Sequence, residues 1–274
     1  MFGSAIFIDV CAMSEMTICK NCGLEFDRKY CPDCGQRARV KRITGKAIIK
    51  EVRQRLLHYD SGFFYTAIQL MRRPGHTIRE YVEGKRVRHF KPVKFIIWAT
   101  ALNFLVFHLI GLDAEIQQAV MTGKAQNPIS AWIVKNVFEH PAVMILLLVP
   151  NIALFSRWYF KWHDYNYVEH LVLNIYLMGE LSLFGVVLNP LNKYLFTGPA
   201  LGAAKMVPQV AFSLSYMTWA YLQFFQPRRK WLAGLKAVLA VLSGYVFMLI
   251  LISILVMIVI VLFWPLLKPI MTGQ

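Results

Sequence analysis

Four of the five cysteines fall into two pairs of one spacing, Cys19-x2-Cys22 and Cys31-x2-Cys34, separated by eight residues. A tetrahedral zinc ion takes four soft ligands, and Cys-x2-Cys lets two thiolates from one tight turn reach the same ion. Gly23 and Gly35 each follow the second cysteine of a pair. A residue without Cβ permits the turn there and lets backbone N–H groups approach the sulfurs. Residues 23–30 suit a small hairpin turning near Asp27-Arg28, with Phe26 and Tyr30 as its apolar cover. The spacing is shorter than the common ~15–20 residue version, but four cysteines so arranged point to a structural Zn2+ site. Disulfides are the competing chemistry; a cytoplasmic setting disfavours them, and no thioredoxin-like context surrounds the pairs. Cys11 is not expected to be a ligand.

A second set of candidate groups lies within apolar runs, where ionisable residues are costly and are functional leads by default. Asn103 and His108 sit in one run, and Glu169, His170, Asn174 and Glu180 in another. At ~100° per residue, Glu180 falls about 20° from Glu169, so the second run carries one acidic face. Counting depth from the expected cytoplasmic ends matches Asn103 with Asn174 and His108 with Glu180. A His108–Glu180 contact is therefore expected. The plain alternative is interhelical hydrogen bonding, worth about 0.6 kcal/mol and up to ~2.

A third set is cationic. Arg72, Arg73, Arg79, Arg86 and Arg88 precede the first long apolar run. They read either as a topogenic anchor on phosphate headgroups or as a specific lipid or phosphate site, at roughly 1 kcal/mol per well-placed cation. Nucleic-acid binding is the rarer alternative.

The elements that must hold these groups follow from composition. The chain of 274 residues is 57% hydrophobic and only 16% charged, against ~25% charged for soluble domains. Its net charge of +15 is uneven, since residues 1–92 hold 18 Lys or Arg against 9 Asp or Glu. Apolar runs long enough to cross a bilayer lie at about 93–112, 141–160, 165–188, 206–225 and 237–264. The fifth has 28 residues and no charge, and the third is the weakest by hydropathy because two glutamates interrupt it. With the N-terminus inside, 25 cations fall on the cytoplasmic side and five outside (Lys124, Lys135, Lys193, Lys205 and Lys268). The positive-inside rule thus favours N-in, C-out. Trp158, Tyr159, Trp162, Tyr165 and Tyr167 cluster at the second connection, as amphipathic rings do at headgroup level.

The expected fold class is an all-α polytopic membrane protein of about five transmembrane helices with a small N-terminal zinc-ribbon knuckle. Residues 1–15 read as a non-native start or a disordered leader, with Met13 or Met16 expected as the native start. The ribbon occupies 16–38, a basic connector 39–92, the bundle 93–264 and a short external tail 265–274. Within the connector, 46–59 read as an amphipathic helix and 63–71 as an interfacial or re-entrant segment. Thr77-x-x-Glu80 reads as a capping box opening a short helix, with Gly84 as its stop. Residues 131–138 suit a short helix on the outer surface.

From Arg73-Pro74-Gly75 through Thr77-Ile78-Arg79-Glu80-Tyr81-Val82-Glu83-Gly84-Lys85-Arg86 to Phe90-Lys91-Pro92, the chain resembles the signature of a bacterial membrane family catalogued as domain of unknown function 3667. The Cys-x2-Cys-Gly pairs and the Tyr167-Val168-Glu169-His170-Leu171 run are similar as well, and the likeness extends from Met16 to about Leu188. The resemblance implies a zinc ribbon plus several helices in the inner membrane, and it brings no catalytic residues. No nucleophile–base motif, phosphate loop or His-Glu-x-x-His pattern is present. The expected function is therefore non-enzymatic: recruitment of a protein partner through the ribbon, or of anionic membrane lipids through the connector. A small transporter or channel is the alternative.

Overall fold

The computed structural model describes residues 16–45, 62–112, 141–195 and 206–272. The leader 1–15, the amphipathic helix expected at 46–59 and the surface helix expected at 131–138 lie outside them. Two short strands, β1 (Thr17–Ile18) and β2 (Glu25–Phe26), pair antiparallel with Thr17 opposite Phe26. They flank the first cysteine pair, so the hairpin turns at the knuckle itself and not near Asp27-Arg28. The knuckle already reverses the chain between the two strands. Phe26 is buried as expected, whereas Tyr30 is 53% exposed.

Helix α1 (Gly62–Arg72) ends where Pro74 restricts the residue before it, and α2 (Pro74–Glu83) starts with that proline in its first turn. The expected capping box at Thr77 is absent because this helix begins three residues earlier. The Thr77 hydroxyl instead donates to the Arg73 and Gln69 carbonyls at 2.9 and 3.2 Å, fastening α2 to the end of α1. Gly84 stops α2 with a left-handed φ of 119°, its N–H donating to Glu80 and Tyr81 carbonyls.

Four of the remaining helices fall close to the expected runs: α3 (Pro92–Leu109), α4 (Pro141–Tyr159), α5 (Tyr167–Leu195) and α6 (Met206–Phe225). The last, α7 (Lys230–Thr272), continues as helix through most of the stretch read as a tail. Among the described residues, three helices are long and apolar enough to cross a membrane: α3, α5, and Lys230–Leu255 within α7. The polar residues Gln209, Ser213, Ser215, Thr218 and Gln223 keep α6 less apolar.

The two glutamates of α5 do not weaken it as a spanning candidate. It is the central helix, with 61% of its apolar window buried against 28% for α3 and 17% for α7. It packs along α3 and α4 and also touches α1, α2 and α6. Close approach explains the α3 contact. A Cβ on Gly179 would sit 2.8 Å from the Phe95 ring, and one on Gly185 2.7 Å from Asn103 Oδ1. Small residues that let helices approach closely are the usual means of association where lipid removes the hydrophobic drive. Helix α2 meets α6 more closely still: a Cβ on Gly75 would lie 2.3 Å from the Ala220 carbonyl oxygen.

Candidate functional site

The two cysteine pairs form one structure twice. Cys19 N–H donates to the Leu24 carbonyl and Gly23 N–H back to Cys19; Cys31 does the same with Gln36, and Gly35 with Cys31, all at 2.7–2.9 Å. Gly23 and Gly35 close these turns with φ of 82° and 72°. The repeat brings the four sulfurs within 4.8 Å of one another, with Cys19–Cys34 at 3.4 Å and Cys22–Cys31 at 3.5 Å. Sulfurs on a tetrahedral zinc at ~2.3 Å lie about 3.8 Å apart, so the cluster has the size to hold a metal ion. Burial alone would raise the Cys19 thiol, but N–H donation from Cys22 and Asn21 and the neighbouring thiols bring it down to about 7. Cys22 has the Leu24 N–H to lower it, yet burial and three thiol neighbours push it up to about 12. A thiolate is the metal-ligand form, and the surroundings of Cys19 favour it while those of Cys22 oppose it.

The ribbon is fastened to the helices at several points. Gln36 Nε2 donates to the Gly84 carbonyl at 2.7 Å and Arg86 Nη2 to that of Lys41 at 3.2 Å. Arg42 reaches across to α5, donating Nε and Nη2 to the two Glu169 oxygens at 2.7 Å each. Between ribbon and helices lies a polar cleft of about 480 Å³. Cys22, Cys34 and Asp33 form one wall, and Arg73, Glu80, Lys85, Arg88 and His89 the other. Glu80 sits among Arg73, Lys85 and His89 at 3.4, 4.0 and 3.9 Å. Burial holds His89 below the ordinary imidazole range against the pull of Glu80, and its Nδ1 has no hydrogen-bond partner among the described residues.

The five arginines proposed for phosphate contact divide. Arg73 bonds Gln69 and Glu80, and Arg86 bonds the Tyr81 carbonyl and lies over its ring. Arg79 donates to the Gln223 and Phe224 carbonyls, satisfying acceptors that the end of α6 leaves open. Arg72 and Arg88 are exposed. Neither makes a hydrogen bond or ion pair with another described residue, whereas Arg79 is committed to helix packing.

The intramembrane polar groups pair differently from the sequence expectation. Asn103 accepts from Asn189 Nδ2 at 3.1 Å, and Asn189 accepts from Gln209 Nε2 at 3.3 Å, linking α3, α5 and α6. Asn174 instead donates to the His170 carbonyl and accepts from Tyr221 OH, both at 2.8 Å. His170 Nδ1 lies 2.8 Å from Ser156 Oγ. His108 stacks on Phe104 and does not bond Glu180, whose two oxygens have no hydrogen-bond partner among the described residues. The reason is register. Gly179 faces Phe95 and Ile96, so His108 lies twelve residues further along, about 18 Å at 1.5 Å per residue.

Glu169 lies in the first turn of the candidate span α5. Its carboxylate accepts the Asn166 N–H at 2.8 Å while Asn166 Oδ1 accepts its own N–H at 2.9 Å, a capping box opening α5. The pattern Asn-x-x-Glu before an apolar run signals this directly. Nothing local signals Arg42, which is 127 residues away.

Fold and site together are consistent with a multi-pass helical membrane protein carrying an N-terminal tetracysteine cluster. A family model described as protein of unknown function (DUF3667) matches residues 60–104 of the chain. That segment spans α1, α2 and the first part of α3, and supplies the helical wall of the cleft. No curated protein and no solved structure matches.

Proposed function

We propose that this chain is a non-enzymatic integral membrane protein whose cytoplasmic ribbon and basic connector bind a partner or anionic lipid headgroups. Five spans place the N-terminus in the cytoplasm and the C-terminus outside, in the inner membrane of a bacterium, with zinc as the structural ion of the four cysteines. One observation carries the reading: the cleft has the cysteine knuckles on one side and residues of the family-matched segment on the other. Exposed Arg72 and Arg88 add cations on the same segment. Binding of the full chain to phosphatidylglycerol vesicles tests it, with Arg72→Gln/Arg88→Gln expected to weaken binding by roughly fivefold per cation. Cys19→Ser/Cys22→Ser should release the metal and abolish partner capture, while Glu180→Gln leaves both unchanged.

Glu180 favours a second reading, a small transporter or channel. It is 1% exposed in the middle of the central helix with neither oxygen bonded, and an intramembrane carboxyl marks an ion or proton path by default. Proteoliposome flux at two pH values separates the readings. Flux lost in Glu180→Gln and kept without the ribbon cysteines supports transport.

A further inference from the structure

A second polar cleft, of about 300 Å³, opens at the connection between α4 and α5, outside the family-matched segment. Arg42, Arg157, Lys161 and His163 line it together with Asp164. Arg42 is already held by Glu169. Arg157 is exposed and makes no hydrogen bond or ion pair with any described residue. Lys161 has the Trp162 ring, 5.4 Å away, as its partner. Two cations thus line the cleft without an acidic partner, one a planar fork suited to phosphate oxygens and one a point charge.

The surroundings fix the depth. Trp158 and Trp162 are 64% and 80% exposed beside the cleft. Indole rings bared just before the start of a candidate span, here α5, belong at headgroup level, where an apolar body and a polar edge are both accommodated. The cleft is therefore open to the part of the bilayer that carries phosphate.

The charges then select among phosphates. The three cations Arg42, Arg157 and Lys161 face two acids, Glu169 on Arg42 and Asp164 on the rim. One positive charge is left over, which a phosphodiester neutralises and a dianionic monoester overshoots. We infer that this cleft is a binding site for the phosphodiester headgroup of an anionic phospholipid, held by Arg157 and Lys161. The site uses other residues than the ribbon–connector cleft and stands whether or not that reading does.

Native mass spectrometry of the full chain in detergent, titrated with phosphatidylglycerol or phosphatidylcholine, tests it. Arg157→Gln/Lys161→Gln should weaken phosphatidylglycerol retention by about thirtyfold, the two cations contributing roughly fivefold each, and leave phosphatidylcholine unchanged. The charge-keeping Arg157→Lys/Lys161→Arg variant should retain most of the affinity. Loss of both lipids alike, or none in a variant of native helix content, overturns the proposal. An arm with inorganic phosphate separates the sources. Phosphate that binds here as well as the lipid does, and displaces it at equal concentration, overturns the lipid assignment.

Discussion

Helix α5 carries two buried carboxylates eleven residues apart on nearly one face, and their surroundings are opposite. At the helix start, Glu169 is 3% exposed and fully engaged: the Arg42 fork takes both oxygens, and the Asn166 N–H takes one of them again. At mid-helix, Glu180 is 1% exposed and neither oxygen has a hydrogen-bond partner among the described residues. Burial alone therefore says little about what an acidic residue does. A buried charge with its partners supplied is architecture, locking the ribbon to the bundle. One without them is a cost that the fold carries for another reason.

The largest test of this contrast removes the partner at the first site. Arg42→Met should destabilise the protein by about 2 kcal/mol, below the ~3–5 of a fully buried pair because Arg42 is half exposed. Unfolding in SDS followed by circular dichroism reads the loss, and Arg42→Met/Glu169→Met should recover most of it. An unchanged single variant would break the comparison. At the second site the sign reverses, since Glu180→Leu removes two unsatisfied oxygens and should stabilise by about 1–2 kcal/mol in the same assay. Destabilisation there would mean that an ion or water partners Glu180. Asn166→Ala should cost about 1 kcal/mol through the lost capping box. Tyr221→Phe, which strips the hydrogen bond to Asn174, should cost about 0.6 kcal/mol. Equal losses at Tyr221 and Arg42 would show that hydrogen bonding rather than charge governs the helix.

What the sequence makes legible divides by range of interaction. Apolar runs are local, so four of the seven described helices and most of a fifth stand close to where hydropathy puts them. The cysteine pairs are local as well, and their spacing alone predicts sulfurs close enough for one ion. The capping box of α5 is equally local, but Thr77-x-x-Glu80 offers the same pattern with a hydroxyl, and the proline that starts α2 outweighs it. Register is not local. Depth counted from span starts pairs His108 with Glu180, whereas the glycines that permit close contact, Gly179 and Gly185, set a different offset. The Arg42–Glu169 pair depends on the ribbon docking over 127 residues of sequence, and no window of the chain contains it.

The contact between Gly75 and α6 also bears on the order of events during synthesis. Its backbone sits where a single methyl group would strike the Ala220 carbonyl and the Phe224 amide, so α2 has its place only against a completed α6. At about 5–20 residues per second, the ribosome needs roughly ten seconds or more to travel from one to the other. For that interval the polypeptide has its cysteine knuckles, while the helix behind them lacks its contact with α6. Folding of the cysteine knuckles and closure of the bundle are thus separate events in time, and the four sulfurs can come together before the junction forms.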